Sequence, residues 1–216
     1  MTEDQIARKI AVIFVTDVVS FSTLMEKNEN STLISLRACR QIMNQLFSKY
    51  DARIFNTAGD SVLAEFQSAV SAVICAAEFQ KMISKRNLSV SEDLQMQFRV
   101  GLNVGDVIAE GTNLYGEGVN NAARLEALSQ AGGVSLSKAI YDFVNKKVEF
   151  KFTDLGAQKI KNTVLHAYDV IIEGLEQRVL GSSIESSEVT KSKPPTIAVM
   201  PFKNMTNEEE QEYFVD

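Results

Sequence analysis

The spacing of apolar residues predicts a strand, a helix and a hairpin in the first third of the chain. Residues 8–16 form a near-continuous apolar run rich in β-branched side chains, which is typical of a strand buried on both faces. Between Leu36 and Tyr50, apolar residues recur at steps of three and four, which predicts an amphipathic helix. Two short strand-like runs follow at 52–56 and 61–66, and the glycine-containing connection between them predicts a hairpin.

Similar patterns continue to residue 172. The predicted elements are, in chain order, a helix over 67–86, a strand over 95–103 that resumes at 106–109, a loop over 111–118, a helix over 119–129, a strand over 134–137, a short helix over 138–145, and strands over 148–153 and 166–172. Helices that alternate with strands and hairpins favour an α+β fold, in which helices cover an antiparallel or mixed sheet. We therefore predict one such domain over residues 1–172.

The pattern changes after this domain. Residues 173–195 are rich in Ser, Glu and Lys and finish with two prolines, which is typical of a solvated linker. Beyond the linker, 196–201 resembles a strand and 207–214 resembles the start of a helix. Because so short a segment cannot bury a core of its own, we expect 196–216 to be the truncated start of a second domain in a longer parent chain.

Composition excludes several classes of protein. Cys39 and Cys75 are too few for a disulfide scaffold, and His166 is the only histidine, so a Cys/His zinc cluster is not expected. The formal net charge is −6, but residues 173–216 hold nine acids against four bases, which leaves the predicted domain close to neutral. This charge balance argues against a partner that is a nucleic acid or an anionic membrane surface.

The same composition predicts the location of the protein. No apolar stretch approaches the ~18 residues of a membrane span. The first ten residues are mixed in charge and lack the apolar stretch of a signal peptide. We therefore expect a cytoplasmic protein with no direct membrane span.

Two aspartates occupy positions that suit a metal site. Asp17 follows the apolar core of the first strand, and Asp60 follows Gly59 in the predicted hairpin turn. Carboxylates on neighbouring loop ends can share hard divalent cations, which also bind phosphates. Each aspartate also has a structural interpretation, because Asp17 could cap the next helix and Asp60 could simply favour the turn.

A polar pair marks the helix predicted over 119–129. Asn120 and Arg124 are four residues apart, so they project from one face of that helix. An amide beside a guanidinium suits a ribose hydroxyl and a phosphate, respectively. The alternative is an ordinary solvated helix face.

Five stretches spread over residues 8–172 combine these features into a larger pattern. They are Phe14-Val-Thr-Asp-Val-Val-Ser-Phe-Ser22, Gly59-Asp-Ser-Val-Leu-Ala-Glu-Phe66, Arg99-Val-Gly-Leu-Asn-Val-Gly-Asp106, Leu114-Tyr-Gly-Glu-Gly-Val-Asn120 with Ala122-Ala-Arg-Leu-Glu126, and Asp154-Leu-Gly156 with Ile160-Lys-Asn162. In this order they resemble the class III nucleotidyl cyclase catalytic domains of bacteria. The resemblance implies a ferredoxin-like, palm-type α+β domain with a mainly antiparallel sheet covered by helices.

The resemblance also implies an activity and a metal site. Asp17 and Asp60 match the two metal-binding aspartates of the family, and the carbonyl of Val18 matches a further ligand. Two Mg²⁺ or Mn²⁺ ions per site would assist attack of the ribose 3′-oxygen on the α-phosphate of ATP. The expected products are 3′,5′-cyclic AMP and pyrophosphate.

The remaining catalytic positions are expected to come from a second subunit. Asn120 matches the residue that orients the ribose, and Arg124 matches the arginine that stabilises phosphate charge in the transition state. Lys161 resembles the lysine that reaches the triphosphate. In the family, one protomer of a head-to-tail homodimer supplies the aspartates and the other supplies these three residues and the purine pocket.

The purine pocket departs from the family pattern. Asn56 and Asn113 stand where the family usually has a lysine and an aspartate or threonine that read adenine. Each asparagine side chain both donates and accepts hydrogen bonds, so the pair does not fix the choice between adenine and guanine. We expect ATP as the substrate. The alternatives are a guanylate cyclase, a cyclase of low selectivity and a non-catalytic nucleotide-binding dimerisation module, and a downstream domain would regulate any of these.

Overall fold

The apolar and β-branched runs of the sequence form strands in the computed structural model, which describes residues 7–178. The strands are β1 (Ala7–Val18), β2 (Arg53–Ala58), β3 (Ser61–Phe66), β4 (Phe98–Glu110), β5 (Asn113–Tyr115), β6 (Val134–Ser137), β7 (Lys151–Ile160) and β8 (Thr163–Ile171). They form a single sheet in the order β2-β3-β1-β4-β6-β8-β7, and β5 pairs with the end of β4. The β4–β6 pair is parallel and the other pairs are antiparallel.

The segments with helical periodicity form helices that local polar groups delimit. The helices are α1 (Phe21–Lys27), α2 (Glu29–Lys49), α3 (Ala69–Asn87), α4 (Glu117–Leu128) and α5 (Lys138–Val144). The side chain of Asn28 accepts a hydrogen bond from the backbone of Ser31 at the start of α2. Ser68 does the same for Ser71 at the start of α3, so both helices begin at an N-cap residue.

The sheet packs against helices on both faces. Val12 and Phe14 of β1 belong to the larger core, which includes buried residues of α2, α3 and α5. The alternate β1 residues Ala11, Ile13 and Val15 pack with α4 in a smaller core. Because successive strand residues point to opposite faces, α4 lies on the face opposite α2, α3 and α5. We call this side of the sheet the α4 face.

Glycines allow α4 to approach the sheet closely. A Cβ atom at Gly101 of β4 would overlap the backbone of α4 at Ala122 and Glu126. A Cβ atom at Gly118 would lie 2.8 Å from the carbonyl oxygen of Asp106. These two positions therefore fix the contact between α4 and β4 at both ends of the crossing.

The structure confirms the predicted fold class and corrects several element boundaries. The predicted 111–118 loop contains β5, which pairs with the end of β4 after a two-residue turn. The two last strands form a longer hairpin than expected, because β7 extends ten residues to Ile160 and β8 begins at Thr163. The strand predicted over 95–103 does continue through 106–109 as one strand, β4, but it begins only at Phe98.

Two further predictions concern the part of the chain after residue 172 and the crossing of a membrane. The predicted second domain at 196–216 and most of the predicted linker lie outside the described residues. Residues near the start of that linker contact the domain, since Arg178 donates to the carboxylate of Asp169 at 2.7 Å. None of the helices between residues 7 and 178 combines the length and apolar character that a bilayer crossing requires.

Candidate active site

The two predicted metal-binding aspartates lie side by side. Asp17 is near the end of β1, and Asp60 is in the two-residue turn that joins β2 to β3. The backbone N–H of Val18 donates to Oδ2 of Asp60 at 3.0 Å, and the Ser61 hydroxyl donates to Oδ1 of Asp17 at 2.7 Å. Burial and the adjacent Asp17 carboxyl raise the pKa of Asp60 to about 6.

The backbone conformation of Gly59 and a contact from α2 both support the turn that carries Asp60. Gly59 is its first residue and has φ +60°, a conformation that suits a two-residue hairpin and favours glycine. The guanidinium of Arg40 on α2 donates to the carbonyl of Gly59. A residue of α2 therefore helps to hold the turn that carries Asp60.

This carboxylate pair fits a divalent cation. Carboxylate and carbonyl oxygens are the ligands that Mg²⁺ and Mn²⁺ prefer, and Asp17, Asp60 and the Val18 carbonyl are all of this type. The raised pKa of Asp60 reflects burial and the crowding of two carboxyl groups, and a cation relieves that repulsion. No cluster of three or more His, Cys, Asp or Glu side chains suited to a metal occurs within residues 7–178.

Arg99 also belongs to this site, although the sequence pattern did not single it out. Antiparallel pairing of β1 and β4 places Arg99 opposite Asp17, with Nη2 3.5 Å from Oδ2. The Nε of Arg99 donates to the carboxylate of Glu126 on α4 at 2.8 Å. Burial raises the pKa of Glu126, Arg99 opposes that effect, and the charges of Asp17 and Asp60 add to it. Arg99 thus connects the aspartate site with α4.

The predicted ribose and phosphate residues of α4 do not join the aspartates within the described protomer. Asn120 is exposed on the first turn of α4. Arg124 is half-buried, and its Nη1 donates to Oδ1 of Asn121 at 2.6 Å. Among residues 7–178, Arg124 forms no ion pair with Asp17 or Asp60. Asn120 is therefore accessible to another molecule, and Arg124 is not engaged by the aspartates of its own protomer.

Lys161 lies in the turn of the last hairpin. Lys161 and Asn162 form the two-residue connection between β7 and β8, because Ile160 pairs directly with Thr163. Lys161 has φ 54°, which is uncommon for a residue with a side chain. Its side chain is exposed at the tip of the hairpin.

A β-bulge decides the direction of Asn56. Across β2 and β3, Arg53 pairs with Glu65 and Asn56 pairs with Leu63, so Phe55 is an extra residue in β2. The bulge places Asn56 on the same side as Arg53, whereas a regular strand would place these two residues on opposite sides. Leu63 packs against the smaller core, so Asn56 points toward the α4 face. Asn113, the first residue of β5, is half-buried, and β5 contacts β2.

Comparisons with known proteins identify the family of this chain. The sequence model described as the adenylate and guanylate cyclase catalytic domain matches residues 2–172. The chain therefore belongs to the class III adenylate and guanylate cyclase family, which confirms the resemblance found in the sequence.

Individual relatives support the same assignment. A Rhizobium meliloti protein named "Putative adenylate cyclase 3" is 37% identical over 219 residues, which covers 100% of this chain and 37% of that protein. The crystal structure of an adenylate/guanylate cyclase/hydrolase from Silicibacter pomeroyi is 32% identical, with a TM-score of 0.71 over 76% of this chain and 98% of that one. The adenylyl cyclase CyaB from P. aeruginosa shares the fold at 24% identity, with a TM-score of 0.67 over 82% of this chain and 100% of that one.

Proposed function

We propose that this domain converts ATP to 3′,5′-cyclic AMP and pyrophosphate at sites shared between two copies of the chain. The observation that carries the proposal is the convergence of Asp17 and Asp60, in which the backbone N–H of Val18, the residue after Asp17, donates to Oδ2 of Asp60 at 3.0 Å. Two carboxylates at one end of the sheet, in a chain of the cyclase family, are the arrangement that a metal-dependent phosphoryl reaction needs.

Each predicted site residue has a task in this reaction. When bound by Asp17, Asp60 and the Val18 carbonyl, two Mg²⁺ or Mn²⁺ ions would supply positive charge that favours the ribose 3′-alkoxide and neutralises the phosphates. Asn120 would hold the ribose so that its 3′-oxygen faces the α-phosphate. Arg124 and Lys161 would stabilise the negative charge that develops as pyrophosphate leaves.

The exposure of the second group of residues supports a homodimer. Asn120 and Lys161 are exposed, and Arg124 contacts Asn121 of its own helix rather than the aspartates. A head-to-tail partner would bring its Asn120, Arg124 and Lys161 to the aspartates of the first protomer, and the reverse would complete a second site. An isolated protomer would then have no complete site.

A named relative and the two asparagines both bear on the choice of base. We favour ATP because the Rhizobium meliloti relative carries an adenylate cyclase name. The side chains of Asn56 and Asn113 can both donate and accept hydrogen bonds, so they can pair with guanine as well as adenine. GTP is therefore a second candidate substrate. A cyclase that accepts both nucleotides is consistent with the same pair.

One assay separates these candidates. Purified protein is incubated with Mn²⁺ and either ATP or GTP, and the cyclic product is identified by mass spectrometry. We expect cyclic AMP as the main product, and an excess of cyclic GMP would reverse the substrate assignment. Binding of both nucleotides without any cyclic product would instead favour the non-catalytic dimerisation module.

A further inference from the structure

A buried carboxylate lies between two cations on the α4 face. The side chain of Glu65 on β3 is only 5% exposed. Lys9 of β1 contacts its Oε1 at 2.5 Å, and the Nε and Nη2 atoms of Arg53 on β2 contact its Oε2 at 3.1 and 2.7 Å. Because a buried carboxylate is costly without partners, Glu65 fixes the position of the Arg53 guanidinium.

The other end of the same guanidinium holds a different part of the sheet. The Nη1 of Arg53 donates to the carbonyl of Thr112 at 2.6 Å. Gly111 and Thr112 form the turn between β4 and β5, and Gly111 has φ +57°. Arg53 therefore ties β2 to the tip of this hairpin, one residue before Asn113. We call Glu65, Arg53 and the Thr112 carbonyl the hairpin clamp.

The hairpin clamp joins the two segments that carry the asparagines. Asn56 is three residues after Arg53 on β2, and the bulge at Phe55 places it on the same side of the strand. Asn113 directly follows Thr112. The clamp is thus the polar connection between the segment of Asn56 and the segment of Asn113.

We propose that the hairpin clamp sets the separation of Asn56 and Asn113 and thereby determines which purine the domain selects. This inference rests on the proposed role of the two asparagines in binding the base. Because each amide can flip, its identity does not specify a base, and selectivity depends on where the fold holds it. Arg53 is a positioning residue that acts through Asn113.

Arg53→Lys separates the two functions of the guanidinium. A lysine keeps a positive charge beside Glu65, but its single ammonium group cannot replace the fork that binds Glu65 and Thr112 together. Loss of one such intramolecular hydrogen bond corresponds to a change of about fivefold in the equilibrium that holds the hairpin in place. We expect Arg53→Lys to weaken binding of a fluorescent N-methylanthraniloyl ATP by about that factor, to change the ATP/GTP ratio of kcat/KM, and to leave kcat nearly unchanged.

Lys9→Gln is the matched control. It removes the other cation from Glu65 and leaves the contact between Arg53 and Thr112 intact. We expect it to lower the thermal unfolding temperature without changing the ratio of the ATP and GTP affinities. Arg53→Gln, which also loses the hairpin contact, repeats the test if the lysine variant does not fold.

A double-mutant cycle with Asn113→Ala tests whether Arg53 acts through Asn113. The clamp predicts that Arg53→Lys has no further effect on selectivity once Asn113 is an alanine. A change that persists in the Asn113→Ala background, or a result equal to that of Lys9→Gln, overturns the clamp and leaves the proposed function intact.

The binding measurements also separate failure of the clamp from failure of the proposed function. If Asn113→Ala alone changes neither the ATP affinity nor the GTP affinity, both the purine role of that residue and the hairpin clamp are refuted. If wild-type protein binds nucleotide without forming cyclic product, the proposed cyclase activity is refuted. The ratio of the ATP and GTP affinities then still tests whether the hairpin clamp affects selectivity.

Discussion

The backbone N–H of Val18 donates to the Asp60 carboxylate at 3.0 Å, so the end of β1 and the β2–β3 turn are joined by residues of the candidate metal site itself. This contact makes the position of Asp60 depend on the strand that carries Asp17. The two carboxylates therefore keep their separation as long as β1 and β3 stay paired. A site of this kind is built by the sheet rather than by flexible loops.

Asp17→Asn should abolish turnover while the domain remains folded. The substitution keeps the shape of the side chain but removes the charge that a divalent cation needs, so we expect a loss of at least about 100-fold in cyclic nucleotide formation. Mn²⁺ binding, followed by electron paramagnetic resonance, should weaken in parallel. Asp142→Asn, an exposed carboxylate paired with Lys138 on α5, is the control and should behave as wild type. Turnover of Asp17→Asn near the wild-type rate would refute the metal assignment.

Subunits with different defects should complement each other. Asp17→Asn lacks a proposed metal ligand and Arg124→Ala lacks the proposed phosphate-binding arginine, so a heterodimer of the two would contain one site with every proposed residue present. We expect each variant alone to be inactive and the co-expressed, doubly tagged heterodimer to recover about half of the wild-type rate. Heterodimers that form but stay inactive would count against sites shared between subunits.

Gly101→Ala should destabilise the domain through α4. The added methyl group would overlap the backbone of Ala122 and Glu126, and backbone cannot move aside as a flexible side chain can. We expect the free energy of unfolding in urea to fall by about 3 kcal/mol. Gly105→Ala is the graded control, because its Cβ would approach Gly118 only to 3.3 Å, and its effect should be smaller. Equal stabilities of the two variants would contradict this account of the α4 crossing.

Glu65→Gln should change the pH dependence of stability. Burial raises the pKa of Glu65, but the hydrogen bonds and charges of Lys9 and Arg53 outweigh burial and hold it below the ordinary value of 4.5. A depressed carboxyl pKa stabilises the fold above the unfolded value, and this contribution is lost as the pH falls through the folded value. We expect the variant to be less stable by about 2 kcal/mol at pH 7.

The difference between Glu65→Gln and wild type should shrink as the pH falls below 4.5 and through the lower pKa of folded Glu65, because the wild-type carboxylate then loses its charge. Urea unfolding at several pH values measures it. Glu78→Gln, which breaks an exposed pair with Lys49, is the control and should show a smaller difference. A constant difference between pH 7 and pH 3 would show that the charge of Glu65 does not contribute.

Much of the candidate site is local, and for that reason it was predictable. Asn120 and Arg124 share a helix face because of their four-residue spacing, and the structure places both on α4. Gly59 and Asp60 form a two-residue hairpin turn that short-range backbone preferences favour. The buried cysteines, Cys39 and Cys75, also lie on the predicted helices.

Other parts of the site depend on residues far apart in the chain. Arg99 lies beside Asp17 only because β1 and β4 pair in one register, across 82 residues of sequence. Arg40 reaches the Gly59 carbonyl only because α2 packs beside the hairpin. No local pattern distinguishes these arginines from ordinary surface cations.

By itself, the sequence determined the family, the fold class and the order of most elements, because apolar periodicity and turn chemistry act over a few neighbouring residues. Only the tertiary structure decided the direction of Asn56, since the bulge at Phe55 exists in the pairing of β2 with β3 and not in β2 alone. It also decided that Arg53 ties Glu65 to Thr112, because strand register and burial bring these groups together. Contacts of this kind arise from closing long loops around a shared core, and a local pattern carries no record of them.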